Sequence, residues 1–101
     1  MRYQTIVLER VEDFIAELTK SDQSRIYSQI DKFGSGDDDS LYIKNLHGRI
    51  RELIIKNYRF IFFAEGNCVY FIHCFTKKTN KTPKQEIKLA EKIYKYITRN
   101  N

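Results

Sequence analysis

The second half of the chain carries a group of arginines and lysines whose types and spacing suit phosphate chemistry. Six of them lie in or just after short apolar runs: Arg49, Arg51, Arg59, Lys77, Lys78 and Lys81. Arginine binds phosphate through two parallel hydrogen bonds, and lysine binds it as a point charge. Arg49 and Arg51 are two residues apart and should face the same side of a strand. We expect the group to meet at one end of a sheet and to bind phosphate there.

The same residue types can also cleave a phosphodiester. Cleavage of RNA requires a base for the ribose 2′-hydroxyl, positive charge around the phosphorane, and an acid for the leaving 5′-oxygen. A lysine crowded by other cations can act as the base, while arginine keeps its charge and stabilises the transition state. The acidic residues of this half are widely spaced: Glu52, Glu65, Glu86 and Glu91. The sequence therefore predicts no metal site and no other cofactor.

Charge is divided unevenly along the chain, whose net charge is +5. Residues 1–40 hold five basic and nine acidic side chains, a net of −4, whereas residues 41–101 hold thirteen basic and four acidic, a net of +9. This asymmetry is typical of a polyanion-binding surface. Lys84, Lys88 and Lys92, spaced four apart, either extend that surface towards RNA or form the solvated face of a helix.

Length and composition indicate one soluble domain. A chain of 101 residues supports a single core, so we expect residues 1–101 to form one domain. The chain contains no apolar run of the ~18 residues needed to span a membrane, and its first residues show no secretory pattern. We therefore expect a cytoplasmic protein. Cys68 and Cys74 lack disulfide or metal-ligand spacing and should be reduced core residues.

Hydrophobic periodicity predicts the elements that must position these side chains. Residues 3–8 have strand character, and two helices follow, the second with Ser21 as its N-cap. Further strands are predicted for residues 41–46, 50–56, 58–64 and 68–75. The turn signal at Lys56-Asn57 is weak, which leaves open whether residues 50–64 form one bent strand or two.

A last helix has clear start signals. Thr82 as N-cap, Pro83 at the first helical position and Gln85 at the third would form a capping box. An apolar stripe follows at helical spacing: Ile87, Ala90, Ile93, Tyr94 and Ile97. The predicted order is β-α-α-β-β-β-α, an α+β domain with its helices packed on a curved antiparallel sheet.

Three segments of the second half form a family motif. They are GRIREL at residues 48–53, NYRFIFF at 57–63 and HCFTKKTNKTP at 73–83, and the Phe-x-Lys-Lys-x-x-x-Thr-Pro part of the third is the most specific. Over residues 41–97 the chain resembles the phage-derived branch of the HigB toxins in the RelE superfamily. The resemblance implies a RelE-like fold and a ribosome-dependent mRNA endonuclease. It also implies a helix-turn-helix, HigA-like antitoxin that forms a hetero-oligomer with the toxin.

The resemblance assigns roles to individual residues. Arg59 matches the family's arginine for stabilising the transition state, and Lys77 and Lys78 match its paired lysines. Lys81 matches the lysine before Thr-Pro, and Glu52 matches a glutamate that either orients a basic residue or takes part in catalysis. Which lysine is the base and which is the acid stays unassigned.

Further contacts with RNA are predicted around this group. The residues expected to make them are Arg49, Arg51, His47, Lys84 and Lys88. His47 is also the better of the two histidines as a general acid or base. His73 alternates with Val69, Phe71 and Phe75, which is a pattern of buried positions.

Two features leave alternatives open. Tyr58, Tyr94 and Tyr96 either stack on nucleobases or belong to the core. Ile54 stands where the family branch commonly has an arginine, which removes one phosphate ligand and bears on the rate of cleavage.

Two rival functions use the same features. A ParE-like protein on the same scaffold would poison DNA gyrase without catalysis, but such proteins need not keep the combination of Arg59 with the three lysines. A plain nucleic-acid-binding module would explain the charge asymmetry but not the family motif.

Overall fold

A five-stranded sheet carries two helices on one face and one helix on the other, within the residues that the structure describes. The structure is a computed structural model that describes residues 3–37 and 39–99. Its elements in chain order are β1 (Gln4–Val7), α1 (Glu9–Ala16), α2 (Lys20–Ser35), β2 (Ile43–His47), β3 (Ile50–Ile55), β4 (Tyr58–Glu65), β5 (Cys68–Thr76) and α3 (Lys84–Arg99). The strand order β1-β5-β4-β3-β2 places β1 and β2 at the two edges. The predicted α+β class is confirmed, but the predicted order β-α-α-β-β-β-α lacks one strand, because residues 50–64 form two strands.

β3 and β4 form a hairpin, which answers the question that the sequence leaves open for residues 50–64. The two strands are antiparallel, and Lys56 and Asn57 form the turn between them. Lys56 has a φ of 55°, a left-handed conformation that favours glycine and costs other residues about 1 kcal/mol. The turn signal in the sequence is weak because a lysine occupies this position.

One edge of the sheet differs from the predicted antiparallel arrangement. β1 pairs with β5 in parallel, with Gln4 opposite Cys68, whereas the other neighbouring strands are antiparallel. α1 and α2 carry the chain from β1 to the far edge, and the meander from β2 to β5 then returns to β1. The direction in which β5 arrives depends on this route, which local periodicity does not encode.

Apolar residues line both faces of the sheet. The face under α1 and α2 has the larger core, which includes Val11, Ile15, Ile26, Phe33, Leu53, Phe60, Phe62 and Phe71. The face under α3 has a smaller one: Ile50, Ile61, Phe63, Ile72, Phe75 and Ala90. Burial on both faces explains the nearly continuous apolar sequence of the central strands. In the described part of the chain, no helix has the length and apolar character needed to cross a membrane.

A β-bulge in β5 changes the alternation predicted there. Ile61 pairs with His73 and Phe62 pairs with Phe71, which leaves Ile72 as an extra residue. Phe71 therefore joins the core under α1 and α2, whereas His73 contacts α3. The prediction that His73 shares a face with Phe71 is wrong, because a bulge shifts every later residue to the other face.

Two helix starts differ from their predictions. The N-cap of α2 is Thr19, not Ser21, because the Thr19 hydroxyl accepts a backbone N–H of the first turn. α3 begins at Lys84, and the Thr82 hydroxyl donates to the carboxylate of Glu52 in place of the predicted capping bond. An ionised carboxylate is the stronger hydrogen-bond partner for a hydroxyl.

Candidate active site

The centre of the candidate site is a charged pair on the face of the sheet that α3 covers. Nε of Arg59 in β4 lies 3.7 Å from Oε1 of Glu52 in β3. The Glu52 side chain is fully buried, and that of Arg59 is 13% exposed. Within the described residues, neither of these two atoms has a hydrogen-bond partner. Charge attraction at low dielectric therefore links the two side chains, and removal of either would leave the other charge uncompensated.

The β3–β4 turn holds the guanidinium of Arg59. Its Nη1 donates to the carbonyl oxygens of Lys56 and Tyr58, both at 2.9 Å. On the neighbouring strands, Arg59 lies opposite Ile54 and Phe75. Its Nη2 has no hydrogen-bond partner in the part of the chain that the structure describes. The guanidinium is thus fixed in place, with one nitrogen left to bind an anion.

The lysine connector, residues 77–83, is fastened at both ends next to this pair. The N–H of Lys77 donates to the carbonyl of Asn57 at 2.7 Å. The hydroxyl of Thr82 donates to Oε2 of Glu52 at 2.8 Å. Both acceptors belong to the β3–β4 hairpin, so the connector runs beside the charged pair.

The three lysines of the connector face solvent to different degrees. Lys78 and Lys81 are exposed, and Lys77 is half-buried. Their ammonium groups form no ion pair with any described residue. The structure brings Glu52, Arg59 and the lysine connector together at one end of the hairpin.

Arg49 and Arg51 lie at the other end of the hairpin. Arg51 is exposed on the opposite face of the sheet, with its guanidinium carbon 5.7 Å from the centre of the Phe62 ring. Arg49 is in the turn after β2, and its Nη2 donates to the carbonyl of Ala64 at 2.8 Å. At ~3.3 Å per residue, three strand positions separate Arg51 from the level of Arg59 by about 10 Å. The expectation that these arginines meet Arg59 is wrong, because the register of the hairpin places them apart.

His47 and Arg49 line a separate cavity at that far end. Its volume is about 310 Å³, and its other lining residues are Gly48, Ile50, Glu91, Tyr94 and Lys95. Nε2 of His47 lies 3.6 Å from Oε2 of Glu91 on α3, and the His47 side chain is 69% exposed. His47 therefore does not reach the charged pair at the turn end of the hairpin.

Lys84 and Lys88 lie on the exposed side of α3. Lys84 is the first residue of the helix, directly after the connector, and Lys88 follows one turn later. Positive charge thus continues from the connector along the start of α3.

A buried histidine fixes the start of α3 on the sheet. Nε2 of His73 lies 3.1 Å from Oε1 of Glu86, and the His73 side chain is 8% exposed. Glu86 is in the first turn of the helix, shortly after Thr82. Sequence reasoning missed the roles of Glu86 and Thr82. The available signal was the burial predicted for His73, because a buried imidazole requires a polar partner nearby.

Asp22, in the acidic first half, contacts the β3–β4 turn and was also missed. Its Oδ1 accepts a hydrogen bond from Nζ of Lys56 at 2.8 Å, and its Oδ2 accepts one from the hydroxyl of Tyr58 at 2.7 Å. These bonds, that of Lys56 first, hold the pKa of Asp22 below its usual value, and the same contact raises the pKa of Tyr58. The Tyr58 ring packs edge-on against Phe14 at 6.0 Å, which places it at the core.

The side chains available for other chemistry are few. The described residues contain no group of three or more histidine, cysteine, aspartate or glutamate side chains that could hold a metal ion. Cys68 and Cys74 are free thiols, and burial raises the pKa of Cys74 to about 12. The candidate site therefore offers one fixed arginine, several lysines and a buried carboxylate.

Comparison with solved structures identifies the fold. No curated protein matches the chain. A chain of the RelB-RelE antitoxin-toxin complex from Methanococcus jannaschii matches with a TM-score of 0.62 and 14% identity, covering 70% of this chain and 88% of that chain. A chain of the archaeal RelE-RelB complex from Pyrococcus horikoshii OT3 matches with a TM-score of 0.63 and 14% identity, covering 76% of this chain and 97% of that chain. The predicted RelE-like fold is confirmed.

The sequence also matches a family model. The family described as phage-derived protein Gp49-like (DUF891) matches residues 13–95, which is well over half of the chain. The matched region contains the charged pair, the lysine connector and Asp22. The chain belongs to the family of phage-derived Gp49-like proteins.

Proposed function

We propose that this protein is the toxin of a toxin-antitoxin pair, a HigB-type endoribonuclease that cleaves mRNA on the ribosome without a metal ion. The observation that carries the proposal is the fixed guanidinium of Arg59 beside the lysine connector. The fold supports the proposal, since the two solved structures compared above are complexes of RelE with RelB.

In the proposed reaction, the ribose 2′-oxygen attacks the adjacent phosphorus, and the bond from phosphorus to the 5′-oxygen breaks. One lysine of the connector, as the neutral amine, accepts the 2′-hydroxyl proton, while another, as the ammonium ion, protonates the leaving 5′-oxygen. Lys77, Lys78 and Lys81 are the candidates for these two transfers. Nη2 of Arg59 stabilises the negative charge that develops on the phosphorane. The products are a 2′,3′-cyclic phosphate and a 5′-hydroxyl, so the reaction needs no co-reactant.

Glu52 positions the site in this proposal and does not transfer protons. Its side chain is fully buried, one carboxylate oxygen accepts the hydrogen bond of Thr82, and the other faces Nε of Arg59. Because the side chain is fully buried and both oxygens face groups inside the protein, neither oxygen can contact a bound RNA. Its fixed negative charge instead keeps Arg59 and the connector in place.

The other basic residues contact RNA away from the scissile phosphate. Lys84 and Lys88 extend the positive surface along α3, where they bind the phosphates next to the cleavage site. Arg49, Arg51 and His47 lie at the far end of the hairpin, and so they contact more distant phosphates of mRNA or of ribosomal RNA.

A HigA-like helix-turn-helix antitoxin is the proposed partner, and the two proteins form a hetero-oligomer in the cytoplasm. The presence of RelB in both compared complexes supports a partner of this kind. The acidic opening helices, α1 and α2, are its proposed docking surface, because they lie on the opposite face of the sheet from the charged pair. Loss of antitoxin binding after charge reversal at Glu12 and Asp13 on α1 would support this docking surface. Unchanged affinity for the antitoxin would contradict it.

Primer-extension mapping of cellular mRNA after induced expression tests the cleavage proposal. We expect cuts in translated regions that disappear when translation is blocked and in the Arg59→Ala variant. Arg51→Ala is the matched control, because it removes the same side chain from the opposite face of the sheet. Growth arrest without cuts would overturn the ribonuclease proposal, and inhibition of supercoiling by purified gyrase would then identify a ParE-like inhibitor.

A modified substrate tests the chemistry. An mRNA with a single deoxyribose at the mapped cleavage position should survive on the ribosome, because it lacks the attacking 2′-hydroxyl. Cleavage of this substrate, or a product that ends in a 3′-hydroxyl, would contradict the proposed reaction.

A further inference from the structure

The β3–β4 turn connects the candidate site with the first half of the chain. On the site side, the carbonyl oxygens of Lys56 and Tyr58 hold Nη1 of Arg59. The carbonyl of Asn57, between them, holds the backbone of Lys77. The conformation of this turn therefore determines where the guanidinium and the lysine connector lie.

The side chains of the same turn residues bind one carboxylate on the other side. Lys56 and Tyr58 each donate to a separate oxygen of Asp22, at 2.8 and 2.7 Å. Asp22 is itself held in the first turn of α2, because its N–H donates to the hydroxyl of Thr19 at 3.1 Å. The Asp22 side chain is only 12% exposed, whereas the Lys56 side chain is 46% exposed. The carboxylate is thus a fixed point on a rigid helix that orders a more exposed turn.

The turn needs such an anchor. Lys56 has a φ of 55°, which is strained for a residue with a side chain. Without a partner for its ammonium group, the turn would be free to relax towards conformations in which its carbonyl oxygens no longer face Arg59.

We infer that Asp22 is a positioning residue for Arg59, and that it acts by holding the β3–β4 turn in the conformation that binds the guanidinium and the lysine connector. Asp22 contacts neither Arg59 nor the connector in the described hydrogen bonds and ion pairs. The inference rests on the proposed function only where RNA cleavage is its readout.

The test compares Asp22→Ala with Ile30→Val. Ile30 is a core residue of the same helix, so its loss of one methylene lowers stability without contact with the turn. Both variants are measured at a temperature at which they are fully folded. Tyr58→Phe, which removes only one hydroxyl, provides the same comparison if Asp22→Ala does not fold.

The first readout is hydrogen exchange at Nε–H of Arg59, measured by NMR without RNA. This nitrogen is buried, so its exchange reports opening of the local structure. We expect exchange to become at least about tenfold faster in Asp22→Ala, which loses two charge-assisted hydrogen bonds, and to stay unchanged in Ile30→Val. Equal exchange in Asp22→Ala and the native protein, or equal acceleration in both variants, would overturn the inference.

The second readout is single-turnover cleavage of a defined mRNA bound to 70S ribosomes. We expect the rate to fall about tenfold in Asp22→Ala with unchanged affinity for the ribosome, because the variant misplaces a group that acts in the transition state. A native rate in this variant would overturn the inference. If the native protein itself does not cleave, the proposed function is wrong, and the exchange measurement alone decides the role of Asp22.

Discussion

The two ends of the β3–β4 hairpin carry arginines in different surroundings. At the turn end, Arg59 is largely buried, faces the carboxylate of Glu52 and donates to two carbonyl oxygens. At the other end, Arg51 is exposed over the ring of Phe62 and forms no ion pair with a described residue. A guanidinium that is already fixed can stabilise a transition state without being ordered during the reaction, whereas an exposed one must be ordered first. Surroundings, more than residue type, thus distinguish a candidate catalytic arginine from a surface arginine.

Removal of each arginine gives the most direct test of this comparison. Arg59→Ala should lower the single-turnover rate of mRNA cleavage by about 10³-fold, the effect of losing a preorganised donor to a developing negative charge. Arg51→Ala should change the rate by only a few fold, as for one surface contact with phosphate. Arg59→Lys should not restore the rate, because one ammonium cannot reproduce the planar donor geometry. Similar losses of cleavage rate in the two alanine variants would contradict the distinction between the two arginines.

The charge of Glu52 should matter more for stability than that of Glu65, which forms no ion pair with a described residue. Glu52→Gln keeps the shape of the side chain but leaves the Arg59 charge buried without its counter-charge, and it should lower the free energy of unfolding by about 3 kcal/mol. Glu65→Gln, at the far end of β4, is the control and should change it by less than about 0.5 kcal/mol. Urea denaturation measures the free energy of unfolding of both variants. A small effect of Glu52→Gln would mean that the pair of Glu52 and Arg59 contributes little to stability.

The hydroxyl of Thr82 should have a smaller effect on the same end of the hairpin. Thr82→Val leaves Oε2 of Glu52 buried without a donor and should lower the free energy of unfolding by about 1–2 kcal/mol. Thr98→Val is the control, since the Thr98 hydroxyl bonds to a carbonyl of its own helix. If both variants unfold at the same urea concentration, the link between Thr82 and Glu52 does not fasten the connector.

The smallest expected effect is a pH dependence at the anchor of the turn. The pKa of Asp22 is below its usual value of 3.8, so its contribution to stability is complete above that value and is lost as the pH falls through the lowered pKa. The stability difference between the native protein and Asp22→Asn should therefore be constant from about pH 5 to 7 and should shrink in more acidic solution. Urea denaturation as a function of pH measures it. A stability difference that grows on acidification would show that the ion pair of Asp22 with Lys56 does not stabilise the protein.

Local patterns predict much of this molecule, and long-range contacts account for what they miss. The helices, most strands and the sequence of the lysine connector follow from periodicity and from a motif of adjacent residues. The bond between Thr82 and Glu52 joins positions 30 residues apart, and that between Tyr58 and Asp22 joins positions 36 apart. No local pattern relates such positions, because each pairing depends on how the hairpin and α2 pack.

Register explains the remaining differences. The face on which Arg51 lies depends on where the hairpin turns, and the turn occurs at a lysine with positive φ. The face of His73 depends on one extra residue, Ile72, in β5. Single-residue shifts of this kind move the side chains of a strand to the opposite face of the sheet and have no clear compositional signal.

The parallel pairing of β1 with β5 affects when the candidate site can form during synthesis of the chain. Gln4 pairs with Cys68, so the sheet stays incomplete until β5 has left the ribosome. Pairing over such a long separation is also slow, because the intervening chain must be ordered first. Thr82, which fastens the connector, emerges later still. A nascent chain therefore has no assembled candidate site until β5 and Thr82 have both been synthesised.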